Sequence, residues 1–227
     1  MPRKPAPAKQ PELTSAELDD ELTAARIVKL EKEIQLLELQ LNSAQHESET
    51  ESAELNRRRV FHFSSPVNQN AYATTVWELS TWAKLSKDPI TIVINSPGGY
   101  VTYGLAIYDF LRGLSAEGIE IRTVGIGEVA SMGGILFEAG DRRILTPNAW
   151  MLIHEVSSGS MGKSSEMDEA LKFVKRLQDQ CLDILSKRST LSKAAIAKRW
   201  KKTDWWLTPD EAVELGFADE VRTGWNL

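Results

Sequence analysis

Ile119-Glu120-Ile121-Arg122-Thr123-Val124-Gly125-Ile126-Gly127-Glu128-Val129-Ala130-Ser131-Met132-Gly133-Gly134 is the stretch that decides the reading of this 227-residue chain. Ile119 to Ile126 alternates apolar and polar positions, which predicts a strand. Ile135-Leu136-Phe137-Glu138-Ala139 then predicts a buried helix closed by Gly140. Ser131 stands at that strand-to-helix junction, where free N–H groups and the helix dipole favour negative charge. An alkoxide or a tetrahedral oxyanion would be stabilised there. Alone, the serine reads as an N-cap, which needs nothing but a hydroxyl. The stretch is not the hydrolase elbow G-x-S-x-G either, because Val129 occupies the first glycine position.

Two other segments change the weighting. Asn95-Ser96-Pro97-Gly98-Gly99 ends a predicted strand, Thr91–Ile94, and offers main-chain donors ahead of the next helix. His154 closes the short apolar strand Trp150-Met151-Leu152-Ile153. An α/β sheet gathers the carboxyl ends of its parallel strands at one rim, where ligands bind. Serine, histidine and a glycine-rich turn are therefore expected to meet on that rim.

From Arg59 to Val221 the chain resembles the proteolytic subunit of the Clp protease, ClpP, a self-compartmentalising serine peptidase. The resemblance rests on Ile94-Asn95-Ser96-Pro97-Gly98-Gly99, Ala130-Ser131-Met132-Gly133 and Ala139-Gly140. It continues through Pro147-Asn148, Met151-Leu152-Ile153-His154 and Glu211-Ala212-Val213-Glu214-Leu215-Gly216, in the family's order and near its spacing. It implies the ClpP/crotonase-like α/β fold of stacked βαβ units with a projecting handle helix. It also implies a ring, with stacked heptamers as the family's form, that receives unfolded protein from an ATPase of the AAA+ unfoldase type.

The composition is that of an ordinary soluble protein. A core of about 165 residues can bury roughly 70% of its unfolded surface and needs no disulfide or metal staple. The net charge of −5 argues against a nucleic-acid partner, which would want a concentrated basic face. The single cysteine, Cys181, suits a reducing compartment, and no apolar run approaches a membrane span or a signal region. The expected location is the cytoplasm. Three scattered histidines and one cysteine build no zinc site by any usual spacing, and no cofactor is expected.

Three regions are predicted: a disordered start (1–13), a helical, coiled-coil extension (14–58) and the peptidase domain (59–227). Proline, alanine and charge dominate the first. Thr14-Ser15-Ala16-Glu17 fits a capping box. Ile27, Leu30, Ile34, Leu37, Leu41 and Ala44 then recur at alternating steps of three and four, a heptad seam. Leu18 and Leu22 fall out of register, and Ser48 and Glu51 would end the seam. Such a helix either pairs with a partner or lies on its own domain. It replaces the flexible loops through which the family docks its ATPase, so ordinary docking is not implied.

Within the domain, Val60-Phe61-His62-Phe63 predicts a strand in which His62 points away from the two phenylalanines and is structural. Helices are predicted over 68–87, 99–114, 132–139, 192–199 and 208–215, with strands at 89–94, 119–126 and 149–153 between them. That succession argues for βαβ units. A long helix over 161–188 carries Met167, Leu171, Val174, Leu177, Cys181 and Ile184 at helical spacing; by resemblance it is the handle that packs two rings together.

Peptide hydrolysis by serine needs a base for the hydroxyl proton and a group that orients the base. Ser131 is the nucleophile candidate and His154 the base. For the third member the sequence departs from the family: counting back from Glu211, Trp200 falls where the family has its aspartate. Asp204, four residues on, matches a second family aspartate and is the chosen acid, with a bare serine–histidine dyad as the alternative. The resemblance assigns the oxyanion hole to the N–H groups of Gly98 and Met132. Gly99 and the run Ser157-Ser158-Gly159 are candidates to bind substrate main chain as an added strand. Two rivals carry less support: a crotonase-type acyl-CoA enzyme, which would want catalytic glutamates, and an inactive ring or scaffold subunit.

Overall fold

The computed structural model describes residues 23, 24, 26–43, 45, 59–159 and 161–224. The expectations for 1–13, for the capping box at 14–17, for Leu18, Leu22 and Ala44, and for most of 45–58 lie outside the described residues. Packing divides the chain into two units, Met1–Glu54 and Leu55–Leu227. In the first, residues 26–43 form helix α1.

The second unit is built on a parallel sheet in the order β1 (Val60–Phe63), β2 (Ile90–Ser96), β3 (Ile121–Ala130), β4 (Arg142–Leu145) and β7 (Glu220–Val221). Continuous burial of Ile90 to Ile94 is what a parallel strand covered on both faces requires. Between the strands run α2 (Gln69–Leu85), α3 (Val101–Ala116) and α4 (Met132–Phe137). Their apolar faces pack on one large cluster that includes Leu79, Trp82, Ile92, Ile107, Leu111, Ile121 and Phe137. Val93, Val124 and Ile144 form a smaller cluster with Val60 and Ile126.

The long strand β3 changes partners halfway. Arg122 to Gly125 pair with β4, whereas Glu128 to Ala130 pair with β5 (Trp150–Ile153). The register against β2 slips between Ile94 and Ser96. Gly127, at φ 56, sits at that break, and Asn95 Oδ1 accepts from the Glu128 N–H at 3.1 Å. A left-handed residue without a Cβ lets the strand swing away from β4 without clashing with Asn95. The expected strand end at Ile126 is thus corrected: the ladder continues to the residue before Ser131.

The remaining elements are α5 (Ser164–Arg188), α6 (Lys193–Trp200), β6 (Trp205–Leu207), antiparallel to β5, and α7 (Pro209–Glu214). Ser192 caps α6, and Thr208 with Glu211 forms the capping box of α7. In α5 the buried residues Cys181, Leu182 and Leu185 lie near its carboxyl end, while Met167, Leu171 and Phe173 are exposed.

A buried ion-pair group ties the end of α4 to β4 and β7. Arg143 is fully buried; it donates to Glu138 and, at 2.8 Å, to Asp219 Oδ1, and its own N–H reaches Asp219 Oδ2 at 2.7 Å. Arg188, at the end of α5, donates to the same Asp219 and to the Gly140 carbonyl. Burial works to lower the Arg143 pKa, but the hydrogen bonds and charges of Asp219 and Glu138 overcome it and raise it.

Candidate active site

Ser131 N donates to Leu152 O at 2.9 Å, continuing the β3–β5 ladder by one step. Adjacent strands lie about 4.8 Å apart, and His154 is two residues beyond Leu152. Two parallel strands therefore deliver both side chains to the same end of the sheet. They line one cavity together with Gly99, Met132 and Ser157.

The local backbone at Ser131 is the strongest feature of the site. Its φ of 54 and ψ of −120 lie in a region that residues with a Cβ seldom occupy. Such a conformation costs about 1–3 kcal/mol and persists where surrounding structure imposes it. Here β3 fixes the preceding residue, and helix α4 starts at the next one. The serine is the N-cap of α4 by position, yet its side chain makes no capping bond. Ser131 instead lines the cavity from a sharp strand-to-helix turn, comparable to the strained elbow on which serine hydrolases carry their nucleophile.

His154 is half-buried, and its Nδ1 lies 2.6 Å from the Glu155 carbonyl oxygen. A carbonyl can only accept, so Nδ1 is the donor in this contact, and in the neutral ring the lone pair is then on Nε2. This is the tautomer a general base requires. No hydrogen bond joins Ser131 Oγ to His154 in this conformation; such contacts commonly tighten when substrate binds.

Gly98 lies against Ser131. A Cβ built there would come within 2.6 Å of Ser131 Cβ and 2.9 Å of Met132 N, at a φ of 90. The main chain of Gly98 and the N–H at the start of α4 therefore flank Ser131. Gly98 N donates to Ser96 Oγ at 3.2 Å, a long bond that a developing oxyanion could displace. Gly99 has a different reason to lack a side chain, since its Cβ would collide with the Val67 main chain, to which it is bridged.

Asp204 is not brought to this group. It is exposed, sits in the turn before β6, does not line the cavity and makes no bond to His154. Trp200 lines the cavity, with 2% exposure, and fills the position where an acid was sought. An indole offers one N–H donor and no acceptor, so it cannot hold the Nδ1 proton. Ser158 and Gly159 are likewise exposed and outside the cavity, and residues 154–159 form no strand.

Sequence reasoning missed Glu155, which lines the cavity and whose carboxylate accepts from Lys202 N at 3.0 Å. That bond ties the loop after α6 to the strand end bearing His154. Its adjacency to the histidine was the available signal. No group of metal-binding side chains occurs among the described residues.

With this geometry in place, comparison with known proteins is informative. A family model described as Clp protease matches residues 43–224. Over 139 residues, 60% of this chain and 75% of the relative, the sequence is 37% identical to "ATP-dependent Clp protease proteolytic subunit 2" of Tropheryma whipplei (strain Twist). It is 32% identical over 170 residues to the "ATP-dependent Clp protease proteolytic subunit" of Deinococcus radiodurans, covering 74% of this chain and 81% of that one. A mutant ClpP1 from Listeria monocytogenes superposes with a TM-score of 0.69 at 26% identity, over 76% of this chain and 96% of its own. The peptidase-like fold, the match along most of the length and the shared order of motifs lead to one assignment: this chain belongs to the Clp protease family.

Proposed function

We propose that this member of the Clp protease family is a serine-type endopeptidase working through a Ser131–His154 dyad. One observation carries the reading: a strained serine with an unengaged hydroxyl shares a cavity with a histidine whose Nδ1 proton is held by a main-chain carbonyl. Ser131 Oγ attacks the scissile carbonyl carbon while its proton passes to His154 Nε2. The carbonyl oxygen becomes an oxyanion between the N–H groups of Gly98 and Met132, each donor worth about 3–4 kcal/mol in the transition state. Collapse returns the proton from Nε2 to the leaving amine and leaves an acyl ester on Ser131. Water, deprotonated by the same histidine, then releases the acyl group.

In the usual triad a carboxylate holds Nδ1–H and stabilises the imidazolium. Here the Glu155 carbonyl takes the first of those tasks. Asp204→Asn should accordingly leave peptide turnover within about twofold of the parent, as expected for an exposed charge outside the site. His154→Ala should remove turnover by orders of magnitude. A collapse in Asp204→Asn that matched His154→Ala would restore the aspartate as third member.

Val101, Ile135, Leu185 and Trp200 line the cavity beside Ser131 and suit an apolar substrate side chain. Assembly with further copies is part of the reading, supported by Met167, Leu171 and Phe173 left exposed on α5. The relatives' names include "ATP-dependent", which extends the proposal to unfolded chains delivered by an AAA+ ATPase. A cytoplasmic setting completes it; among the described residues no helix is long and apolar enough to cross a membrane.

Labelling the intact protein with a fluorophosphonate and mapping the adduct tests the proposal directly. A single adduct on Ser131 is expected. An unlabelled protein that still assembles would favour the inactive scaffold reading, and an adduct on another serine would remove the nucleophile assignment.

A further inference from the structure

Helix α1 presents an apolar stripe that is exposed among the described residues. Ile27, Leu30, Ile34, Leu37 and Leu41 are each more than half exposed, at 51%, 56%, 54%, 63% and 59%. Steps of three and four place all five on one face, in the a and d positions of a heptad. Isoleucine occupies a at 27 and 34, with leucine at d at 30 and 37; this distribution favours two parallel strands over three or four. Val28, Leu36 and Leu39, also exposed, lie on other faces of the helix, interleaved with Lys32 and Gln35.

The charges beside the seam bear on who the partner is. Arg26 and Glu33 fall at g, and Glu31 and Glu38 at e. In a parallel pair each g residue meets the e residue of the next heptad on the other helix. Arg26 then faces Glu31 twice, and Glu33 faces Glu38 twice. Two attractions and two repulsions of a few tenths of a kcal/mol each nearly cancel. An antiparallel pair within the same stretch would set each Glu31 against Glu38 of the other helix along the e–e′ flank, and each Glu33 against the uncharged Gln40 along the g–g′ flank, giving repulsion and no compensating attraction. Electrostatics thus disfavours the antiparallel arrangement and leaves the parallel one to the buried seam.

We infer that α1 pairs with α1 of a second copy of this chain as a short, parallel, in-register two-stranded coiled coil, held by residues 27, 30, 34, 37 and 41 and moderated by the Glu33–Glu38 repulsion. About two heptads of seam, roughly four helical turns, make a weak zipper by themselves. Copies tethered through the rest of the molecule would raise the effective concentration and make the pairing count. The inference draws nothing from the peptidase mechanism, so either can fail without the other.

Disulfide trapping in the full-length chain tests it. Cys181 is 3% exposed, so the parent should give no cross-link on mild oxidation. Ile27→Cys and Leu41→Cys, examined separately, should each give a covalent dimer, because in-register parallel helices bring a against a. A mixture of the two should give no 27-to-41 bond, since those positions are about 21 Å apart along one helix. Adding Glu33→Lys to Ile27→Cys converts both repulsive pairs to attractive ones. Half-maximal cross-linking should then need roughly fivefold less protein. Cross-links that form solely in the mixture would mean antiparallel helices and overturn the inference. No cross-link in any sample, or weaker cross-linking with Glu33→Lys, would overturn it in favour of a different, basic-flanked partner.

Discussion

Ser131→Ala is expected to abolish turnover of a fluorogenic peptide, by a factor of about 10³ or more, while the molecule keeps its fold and oligomer size. Both halves follow from the geometry. The serine hydroxyl makes no cap and no bond to His154, so little native structure depends on it. Alanine keeps the Cβ that already tolerates φ 54 against the main chain of Gly98. Chemistry, in contrast, loses the atom that forms the acyl ester, and neither Gly98 nor Met132 can replace it. Some acceleration over water should survive from the oxyanion donors, as in other enzymes stripped of their nucleophile. Peptide hydrolysis by purified Ser131→Ala, with size-exclusion chromatography as the companion, gives the readout. Turnover at the parental rate would refute the nucleophile assignment. Lost turnover together with lost assembly would instead make the serine structural.

Arg143→Ala should be the most destabilising of the substitutions considered, by about 3–5 kcal/mol, or a fall in Tm on the order of 10 °C. Arg143 and Glu138 have side-chain exposures of 2% and 1%, and Asp219 joins them from the strand edge. Removing the guanidinium leaves a cavity and strips both carboxylates of their shared partner. Glu138→Gln should behave in the opposite way. Burial, opposed by the charge and hydrogen bond of Arg143, pushes the Glu138 acid up from 4.5 to about 8, and its second oxygen has no partner. Because the folded-state value is raised, the folded protein holds this proton more tightly. Its stabilising effect is full below about 4.5 and declines as pH rises through about 8. Glu138→Gln keeps the shape and removes the ionisation, so the variant should match the parent near pH 5 and exceed it near pH 8.5. Urea denaturation at those two pH values measures the difference. A parental pH dependence in Glu138→Gln would show that the slope arises elsewhere.

Much of the fold was readable along the chain because periodicity reports burial. Val60–Phe63 and Trp150–Ile153 were found with their observed limits, and α2, α3, α5, α6 and α7 within a few residues. Caps set several boundaries: Asn68, Ser192 and Thr208 each accept from an N–H three residues ahead, a strictly local interaction. The strands β4, β6 and β7 escaped notice. Arg142-Arg143 opens β4 with two charges that become acceptable through Glu138, Asp219 and Glu220, all distant or on other elements. The other two contain three and two residues, too few for any period to register.

For the site, the residue types and their order were sequence properties: serine before a helix, histidine after a strand, glycines before both. Their meeting depended on β3 switching from β4 to β5 at Gly127, an arrangement fixed by pairing between segments about twenty residues apart. The third member shows the same division from the other side. Linear spacing could rank Asp204 as the nearest acid, but it could not see that the loop turns that carboxylate outward. Nor could it see a main-chain carbonyl, which every residue possesses, arriving at His154 Nδ1. Local chemistry is written in side-chain identity and short-range periodicity, and the amino-acid sequence alone determined it here. Which groups touch was decided by long-range packing, because contact depends on where strands and loops end in space.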